Sequence, residues 1–216
     1  MSMSRPQSLR PQAPRPMAFA PASPEALPKS HVTRALHLFM LLIVLHQLFG
    51  SLVLERPMPG EDPAWPYWLH EYLGMAGLGA VTLFWLWTLM RDRRETRLGQ
   101  LFPWFSAMGW GGLSADLRSL FGDLASLRMP SLHFDNIASA VHGLGLLAAS
   151  YMALSGTLWF LVFKGGAYGR MVLSSHKLVA NLMWAYVIAH VSIAVLHRLL
   201  GDDIFSRMFW TRRANS

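Results

Sequence analysis

The chain contains no cysteine. Disulfides, thiolate metal sites, iron–sulfur clusters and thioether-attached haem are therefore excluded. Charge is also scarce, because Asp, Glu, Lys and Arg make up only 14% of the 216 residues, whereas a soluble domain usually carries about 25%. No glycine-rich phosphate loop follows a strand pattern, so nothing in the sequence indicates a nucleotide site. These absences argue against an ordinary soluble enzyme.

Apolar residues account for 53% of the chain and are gathered into long runs. Four runs contain no Asp, Glu, Lys or Arg: Ala35–Leu54, Tyr72–Met90, Ile137–Phe163 and Leu178–Leu196. A helix needs about 20 mostly apolar residues to cross a bilayer, so each run is long enough. With their flanks, the runs predict spans at about 35–54, 68–90, 137–163 and 174–197. We therefore expect an all-α membrane protein built as a four-transmembrane-helix bundle.

The basic residues predict how the bundle is oriented. Most of the 19 Lys and Arg residues precede the first span, lie between the second and third, or follow the fourth; the exceptions are Arg56, Lys164, Arg170 and Lys177. Because basic residues concentrate on the cytoplasmic side, both termini and the segment 91–135 are expected in the cytoplasm. The pattern predicts a multi-pass protein of the inner membrane. The net charge of +7 is then a membrane feature, and no nucleic-acid partner is expected.

Two segments outside the spans have patterns of their own. Residues 1–30 hold more than half of the 13 prolines and lack a long apolar core, which predicts a disordered, basic, proline-rich cytoplasmic tail. An Arg-rich organellar transit peptide is the alternative. The long cytoplasmic loop 91–135 carries apolar residues at helical spacing: Leu117, Leu120, Phe121, Leu124 and Leu127. This spacing predicts a short amphipathic helix in the membrane interface, with docking on a partner subunit as the alternative.

The histidines carry the functional argument, because ionisable side chains inside a span are costly and usually mark a functional site. His176 and His190 are fourteen residues apart on the fourth span, so they share a helix face and differ in depth by about 21 Å. His37 opens the first span at the depth of His190, and His70 opens the second at the depth of His176. Two such pairs are the axial ligands that two bis-histidine haems require. The alternative is that all four are buried for packing.

Further candidates surround these pairs. Gly74 lies four residues after His70, on the same helix face, where a flat macrocycle would need close approach to the backbone. His142 on the third span lies at inner depth, as do His197 and Arg198 at the end of the fourth. These three residues could border the inner haem or a quinone pocket. Each also has an ordinary interpretation as a packing or surface residue.

Arg34 and His46, at the start of the first span and within it, have separate interpretations. Arg34 lies three residues before His37 and could pair with a propionate of the inner haem, because a guanidinium binds carboxylates bidentately. Anchoring at the membrane surface is the alternative for Arg34. His46 lies nine residues after His37, on the opposite helix face, and is not expected to be a ligand.

The quoted segments resemble a known family. The likeness is carried by HKLVANLMWAYVIAHVSIAVLHRLLGDD (His176–Asp203), RALH (Arg34–His37), HEYLG (His70–Gly74) and the basic ending SRMFWTRR. These segments resemble the bacterial cytochrome b561 family, which is related to the b-type subunits of nickel–iron hydrogenases. The resemblance implies a cytochrome b membrane domain over residues 31–213. It also implies two haem b groups whose iron is held by His37, His70, His176 and His190.

The function expected from these observations is electron transport in a respiratory chain. Electrons would pass between haems on opposite sides of the membrane, to or from quinone, with the lipid membrane as the other partner. A haem-bearing membrane anchor subunit of a dehydrogenase or hydrogenase-type complex, with a redox partner subunit, is one alternative. A metal or proton transporter that uses the same histidines as a relay, without a cofactor, is another.

Overall fold

The computed structural model describes residues 29–55, 57–58, 60–91, 96, 98–126 and 134–199. In these ranges the chain forms six α-helices and no β-strand, which confirms the all-α prediction. The helices are α1 (His31–Gly50), α2 (Trp65–Met90), α3 (Leu98–Leu101), α4 (Ala107–Ala125), α5 (Asp135–Leu161) and α6 (Gly166–Leu199). Short 3-10 turns lie at Ser51–Val53 and Pro103–Phe105. The tail predicted over residues 1–30 lies almost wholly outside the described residues.

Four of these helices, α1, α2, α5 and α6, are long and apolar enough to cross a membrane, which confirms the four predicted spans. All four begin earlier than the predicted spans at 35, 68, 137 and 174. The difference is two to four residues for α1, α2 and α5, and eight for α6, which begins at Gly166. At 1.5 Å per residue, the 34 residues of α6 extend about 51 Å, longer than a hydrocarbon core of about 30 Å. Helix α6 is therefore long enough for its first turns, which carry Arg170, to extend beyond such a core.

The early start of α6 follows from the turn before it. Gly165 and Gly166 have positive φ angles of 105° and 68°, a backbone conformation that glycine adopts at low cost. The chain thus reverses direction soon after α5 ends at Leu161. A Cβ atom at Gly169 would overlap the carbonyl oxygen of Phe163. The absence of a side chain there lets the first turn of α6 pack on the segment that leaves α5.

The four long helices meet around a small shared core. Helix α2 packs against α1 and α5, and α6 packs chiefly against α5. Each helix contributes one residue to the buried centre: Leu48, Val81, Ala149 and Met183. Two indole N–H groups of α2 donate across helix boundaries, from Trp85 to Ser150 Oγ at 2.9 Å and from Trp87 to Thr33 Oγ1 at 2.8 Å. Such polar contacts are a common means by which helices associate in lipid.

Most of the apolar surface of these helices faces outward. In the most apolar 18-residue stretch of each helix, only 28% of the residues of α5 and 6% of those of α6 are buried within the protein. Large side chains such as Leu182 and Ile188 remain 60% exposed. In water, a continuous surface of this kind would promote aggregation. In a bilayer it is the surface that contacts lipid, because the helices satisfy their own backbone hydrogen bonds.

The segment between α2 and α5 is folded. Helices α3 and α4 both pack against α5, and a Cβ atom at Gly143 would overlap the carbonyl oxygen of Leu101. Helix α4 covers most of the region where the sequence predicted a helix, which confirms that a helix is present there. Its Leu117 and Phe121 side chains are exposed. Leu127 lies outside the described residues. The location of α4 in the membrane interface remains a prediction.

A carboxylate of α4 caps the start of α5. Asp116 Oδ2 accepts the backbone N–H groups of Asn136 at 3.0 Å and Ile137 at 3.2 Å, and its Oδ1 accepts the side-chain N–H of Asn136 at 3.1 Å. The backbone groups belong to the first turn of α5, where N–H groups have no partner within the helix. A negative charge at this end is also favoured by the helix dipole. Asp116 thus acts from a neighbouring helix as an N-cap residue does.

We expect Asp116→Ala to loosen the start of α5. Loss of a capping side chain costs about 1 kcal/mol, so hydrogen exchange at the Asn136 and Ile137 amides should become about fivefold faster. Ser114→Ala is the control, because Ser114 Oγ donates within α4 to the carbonyl of Gly111. Unchanged exchange rates in Asp116→Ala would contradict the capping role.

Candidate haem-binding site

The histidines of the long helices form two groups at different depths. His70 on α2 and His176 on α6 line the same cavity and are called the outer group. His142 on α5 and His190 on α6 are in ring contact and, with the nearby His37 on α1, are called the inner group. The buried Met183 lies seven residues from both His176 and His190, so the apolar core separates the two groups.

The outer group opens into a cavity of about 590 Å³. All four long helices contribute to its walls, and His70 and His176 both line it. Its polar residues include Gln47, Glu71, Asn181 and Lys177, and its apolar residues include Met40, Val44, Met152, Phe160 and Trp184. Cofactor sites are usually apolar concavities of about 300–1,000 Å³ with a few placed polar groups. The cavity therefore has the size and character of a cofactor site.

Glycines make the walls of this cavity thin. A Cβ atom at Gly77 would lie 3.3 Å from Ile43 Cγ2, and one at Gly156 would lie 3.2 Å from His176 Cε1. A Cβ atom at Gly74 would lie 3.7 Å from Gln47 Nε2. A larger residue at Gly156 would press on the His176 ring. Gly74 lies in the cavity wall, and its role toward a macrocycle remains a prediction. Gly156 is a further wall position that the sequence alone did not indicate.

The two outer imidazoles have different hydrogen-bonding environments. His176 Nδ1 lies 2.9 Å from Ser155 Oγ, and Gln47 Nε2 donates to the backbone carbonyl of His70 at 2.9 Å. The Nδ1 atoms of His70 and His37 are buried and have no partner among the described residues. A buried polar atom without a partner is costly. Such a cost is typical of a binding site, where a bound ligand supplies the partner. Paired imidazoles are a donor set that suits haem iron.

Charged groups lie at the rim of the outer cavity. Lys164 Nζ lies 3.6 Å from Glu71 Oε1, and the Glu71 side chain is only 8% exposed. The same ammonium sits over the ring of Phe160 at 4.6 Å. Lys177 lies in the cavity wall, so its ammonium group is available to a carboxylate of a bound cofactor, whereas Lys164 is paired with Glu71. Glu71 was not among the candidates from the sequence. The signal that could have identified it is an acidic residue inside a predicted span, because such residues usually mark a functional position.

The inner group is packed ring against ring. The rings of His142 and His190 meet edge to face with centroids 5.0 Å apart, and Tyr186 stacks on His190 at 5.5 Å. A Cβ atom at Gly145 would overlap the Tyr186 ring. The His142 Nδ1 atom lies 2.6 Å from the carbonyl oxygen of Ala138. Because the two imidazoles are in direct contact, His142 flanks His190.

The remaining candidates are Arg34, His197, Arg198 and His46. Arg34 Nε donates to the backbone carbonyl of Lys29 at 2.9 Å, at the start of α1. His197 and Arg198 occupy the last turn of α6, half-buried and exposed respectively. His46 lies within electrostatic range of His70 but is not part of the cavity wall. That proximity was not anticipated, because the sequence relates His46 only to His37 on its own helix.

Comparison with known proteins assigns the chain to a family. A family model described as prokaryotic cytochrome b561 matches residues 30–211. No curated protein and no solved structure matches the chain. The matched range includes all four membrane helices and both histidine groups. With its four apolar helices and its two groups of facing histidines, the chain belongs to the prokaryotic cytochrome b561 family.

Proposed function

We propose that this protein is a di-haem cytochrome that passes electrons across the membrane between an outer haem on His70 and His176 and an inner haem on His37 and His190. The observation that carries the proposal is the cavity of about 590 Å³ with His70 and His176 in its walls. Family membership supports haem b as the group that it binds. The haem iron supplies the one-electron redox chemistry.

The residues of the chain would bind this group, orient it and exclude water. His70 and His176 present their rings from two helices, while the glycines of the wall allow the backbone to approach a flat macrocycle. Lys177 offers an ammonium group to a propionate, and Lys164 pairs with the buried Glu71 carboxylate in the cavity wall. The core around Met183 fills the space between the two sites with apolar side chains. A dry, apolar surrounding of this kind controls the redox potential of a bound metal.

Replacing one ligand of each pair should remove one haem and retain the other. We expect His176→Ala to lose the outer haem and His190→Ala to lose the inner haem, because each iron would lose one of its two axial bonds. Haem content per chain, measured by pyridine haemochrome spectra, should fall by half in either variant.

Two further histidine variants serve as controls for this experiment. His46→Ala should keep both haems, because His46 does not line the cavity. His142→Ala should keep both as well, because His142 flanks His190. A wild-type protein without haem would refute the proposed function. A full complement of low-spin haem in either ligand variant would refute only the ligand assignment.

We also propose that the inner group faces the cytoplasm. The support is the excess of basic residues in the segments at that end of the bundle. Cysteines introduced at Asp62 and Ala167, both exposed near the starts of α2 and α6, should react in intact cells with a membrane-impermeant thiol reagent. A cysteine at Ser126, just after α4, should not react. The native chain contributes no thiol background, and the reverse labelling pattern would reverse the orientation.

Quinone is the proposed electron-exchange partner. His142 is exposed beside the inner pair, and the carbonyl of Ala138 can only accept, so the His142 Nδ1 carries the proton of that hydrogen bond. In the neutral ring Nε2 is then an acceptor, which suits a quinol hydroxyl. His197 and Arg198 lie at the same end of the bundle and would border the same site.

Rapid mixing of the oxidised protein with a short-chain quinol tests this part of the proposal. We expect haem reduction by the quinol, no reduction by NADH alone, and a rate about tenfold lower in His142→Ala, which is the effect of losing one hydrogen bond. Haem content must be equal in both proteins for the comparison. Equal rates in wild type and His142→Ala would remove His142 from the quinone site, and no reduction by any quinol would leave a partner protein as the donor.

One alternative function has a specific observation in its favour. Large apolar side chains are exposed on the segment between α2 and α5, among them Phe105 at 82% and Met108 at 89%. A redox partner subunit or the lipid interface would cover this surface. In the first case the protein would be the haem-bearing membrane anchor of a dehydrogenase or hydrogenase-type complex, and a soluble redox subunit should copurify from native membranes. Among the described residues no group of three or more His, Asp or Glu forms a metal-ion site, so the transporter alternative rests on the sequence alone.

A further inference from the structure

Ser155 occupies a buried position on α5 beside the outer histidine pair. It is 5% exposed. Its hydroxyl lies 2.6 Å from the carbonyl oxygen of Tyr151, one helical turn earlier, and 2.9 Å from His176 Nδ1. The same hydroxyl lies 3.3 Å from the carbonyl oxygen of Met152. The outer histidine of α6 is therefore held from one side by a short stretch of α5.

These contacts determine which nitrogen of His176 carries a proton. A serine hydroxyl has one proton, and a carbonyl oxygen can only accept. Since the Ser155 hydroxyl donates to Tyr151, its oxygen is left to accept from His176 Nδ1, which must then carry the hydrogen. The lone pair of the neutral imidazole is then on Nε2.

The neighbouring residue shapes the same contact. A Cβ atom at Gly156 would lie 3.2 Å from His176 Cε1 and 3.7 Å from its Nδ1. The hydroxyl of Ser155 and the bare backbone of Gly156 therefore meet adjacent atoms of one imidazole edge. The ring is fixed both by a directed hydrogen bond and by close packing.

We propose that Ser155 is a positioning residue that sets the tautomer and the ring orientation of His176, and so the strength with which Nε2 binds the outer haem iron. This inference rests on the proposed function, because it concerns the iron that His176 would ligate. A hydrogen bond at the distal ring nitrogen makes a metal-bound imidazole a stronger donor. A stronger donor favours the oxidised iron, so Ser155 lowers the reduction potential of the outer haem.

The same helix offers a matched control. Ser150 Oγ donates to the carbonyl of Leu146 at 2.7 Å and accepts from Trp85 Nε1 at 2.9 Å. It thus has the same two kinds of partner as Ser155, a carbonyl one turn earlier and an N–H from another helix. Its cross-helix partner is an indole and not an imidazole. Ser150→Ala removes a comparable membrane hydrogen bond without touching a histidine.

The experiment uses the full chain in three variants, Ser155→Ala, Ser155→Thr and Ser150→Ala. Redox titration resolves the two haems, and low-temperature electron paramagnetic resonance reports the orientation of the axial rings. We expect Ser155→Ala to keep both haems, raise the potential of the outer haem only and shift its low-spin signal. Ser155→Thr, which retains the hydroxyl, should return both readings toward wild type. Ser150→Ala should leave both at wild-type values.

Two outcomes would overturn the proposal while leaving the haem assignment intact. One is an unchanged outer potential and spectrum in Ser155→Ala. The other is the same shift in Ser150→Ala, which would attribute the effect to general loosening of α5. A wild-type protein that binds no haem is a different result, and it would refute the proposed function itself.

The tautomer of His176 can also be measured in the protein without haem, which tests the role of Ser155 independently of haem binding. The nitrogen-15 chemical shifts of histidine distinguish the two neutral tautomers, and His176 can be assigned in the apoprotein by comparison with His176→Ala. We expect the wild-type His176 to carry its proton on Nδ1. A proton on Nε2 in the wild type would overturn the role of Ser155 even if Ser155→Ala fails to fold.

Discussion

The organisation of this protein depends on the cost of placing imidazoles inside an apolar membrane. A histidine within a span must find a hydrogen-bond partner, a metal or a polar cavity, because the surrounding lipid offers none. Here the histidines of four helices gather into two groups, and each group lies where glycines let neighbouring helices approach closely. The positions of Gly145 against Tyr186 and of Gly156 against His176 follow from the same requirement.

The two groups satisfy this requirement differently. The outer pair faces an open cavity with a charged rim, whereas the inner rings contact one another and Tyr186 directly. Binding a macrocycle at the outer pair needs little rearrangement of the walls. At the inner pair, side chains would have to separate before a macrocycle could enter between His37 and His190. The two sites should therefore differ in how readily they are filled.

The sequence predicted the four spans and the grouping of the four main histidines, because both depend on regular helix geometry. A fourteen-residue spacing fixes depth and face on one straight helix. Contacts between side chains of different helices could not be predicted from spacing along one helix, because they depend on how each helix is rotated about its own axis. The Ser155–His176 hydrogen bond, the Glu71–Lys164 ion pair and the contact of His142 with His190 are all of this kind. The early start of α6 could not be predicted from its uncharged run, because such a run indicates the part of a helix that can lie in lipid and not where the helix begins.

The packing order of the helices has a consequence for how the protein is assembled. Helix α1 is held chiefly by α2, and α6 chiefly by α5, with an edge contact between Phe49 and Trp184 joining the outer parts of α1 and α6. His37 and His190, the proposed ligands of the inner haem, come from these two helices. A haem bound by both would bridge them, so the free energy of binding would add to the stability of the folded bundle by mass action. The lifetime of the protein in a cell would then depend on the supply of haem as well as on its own sequence.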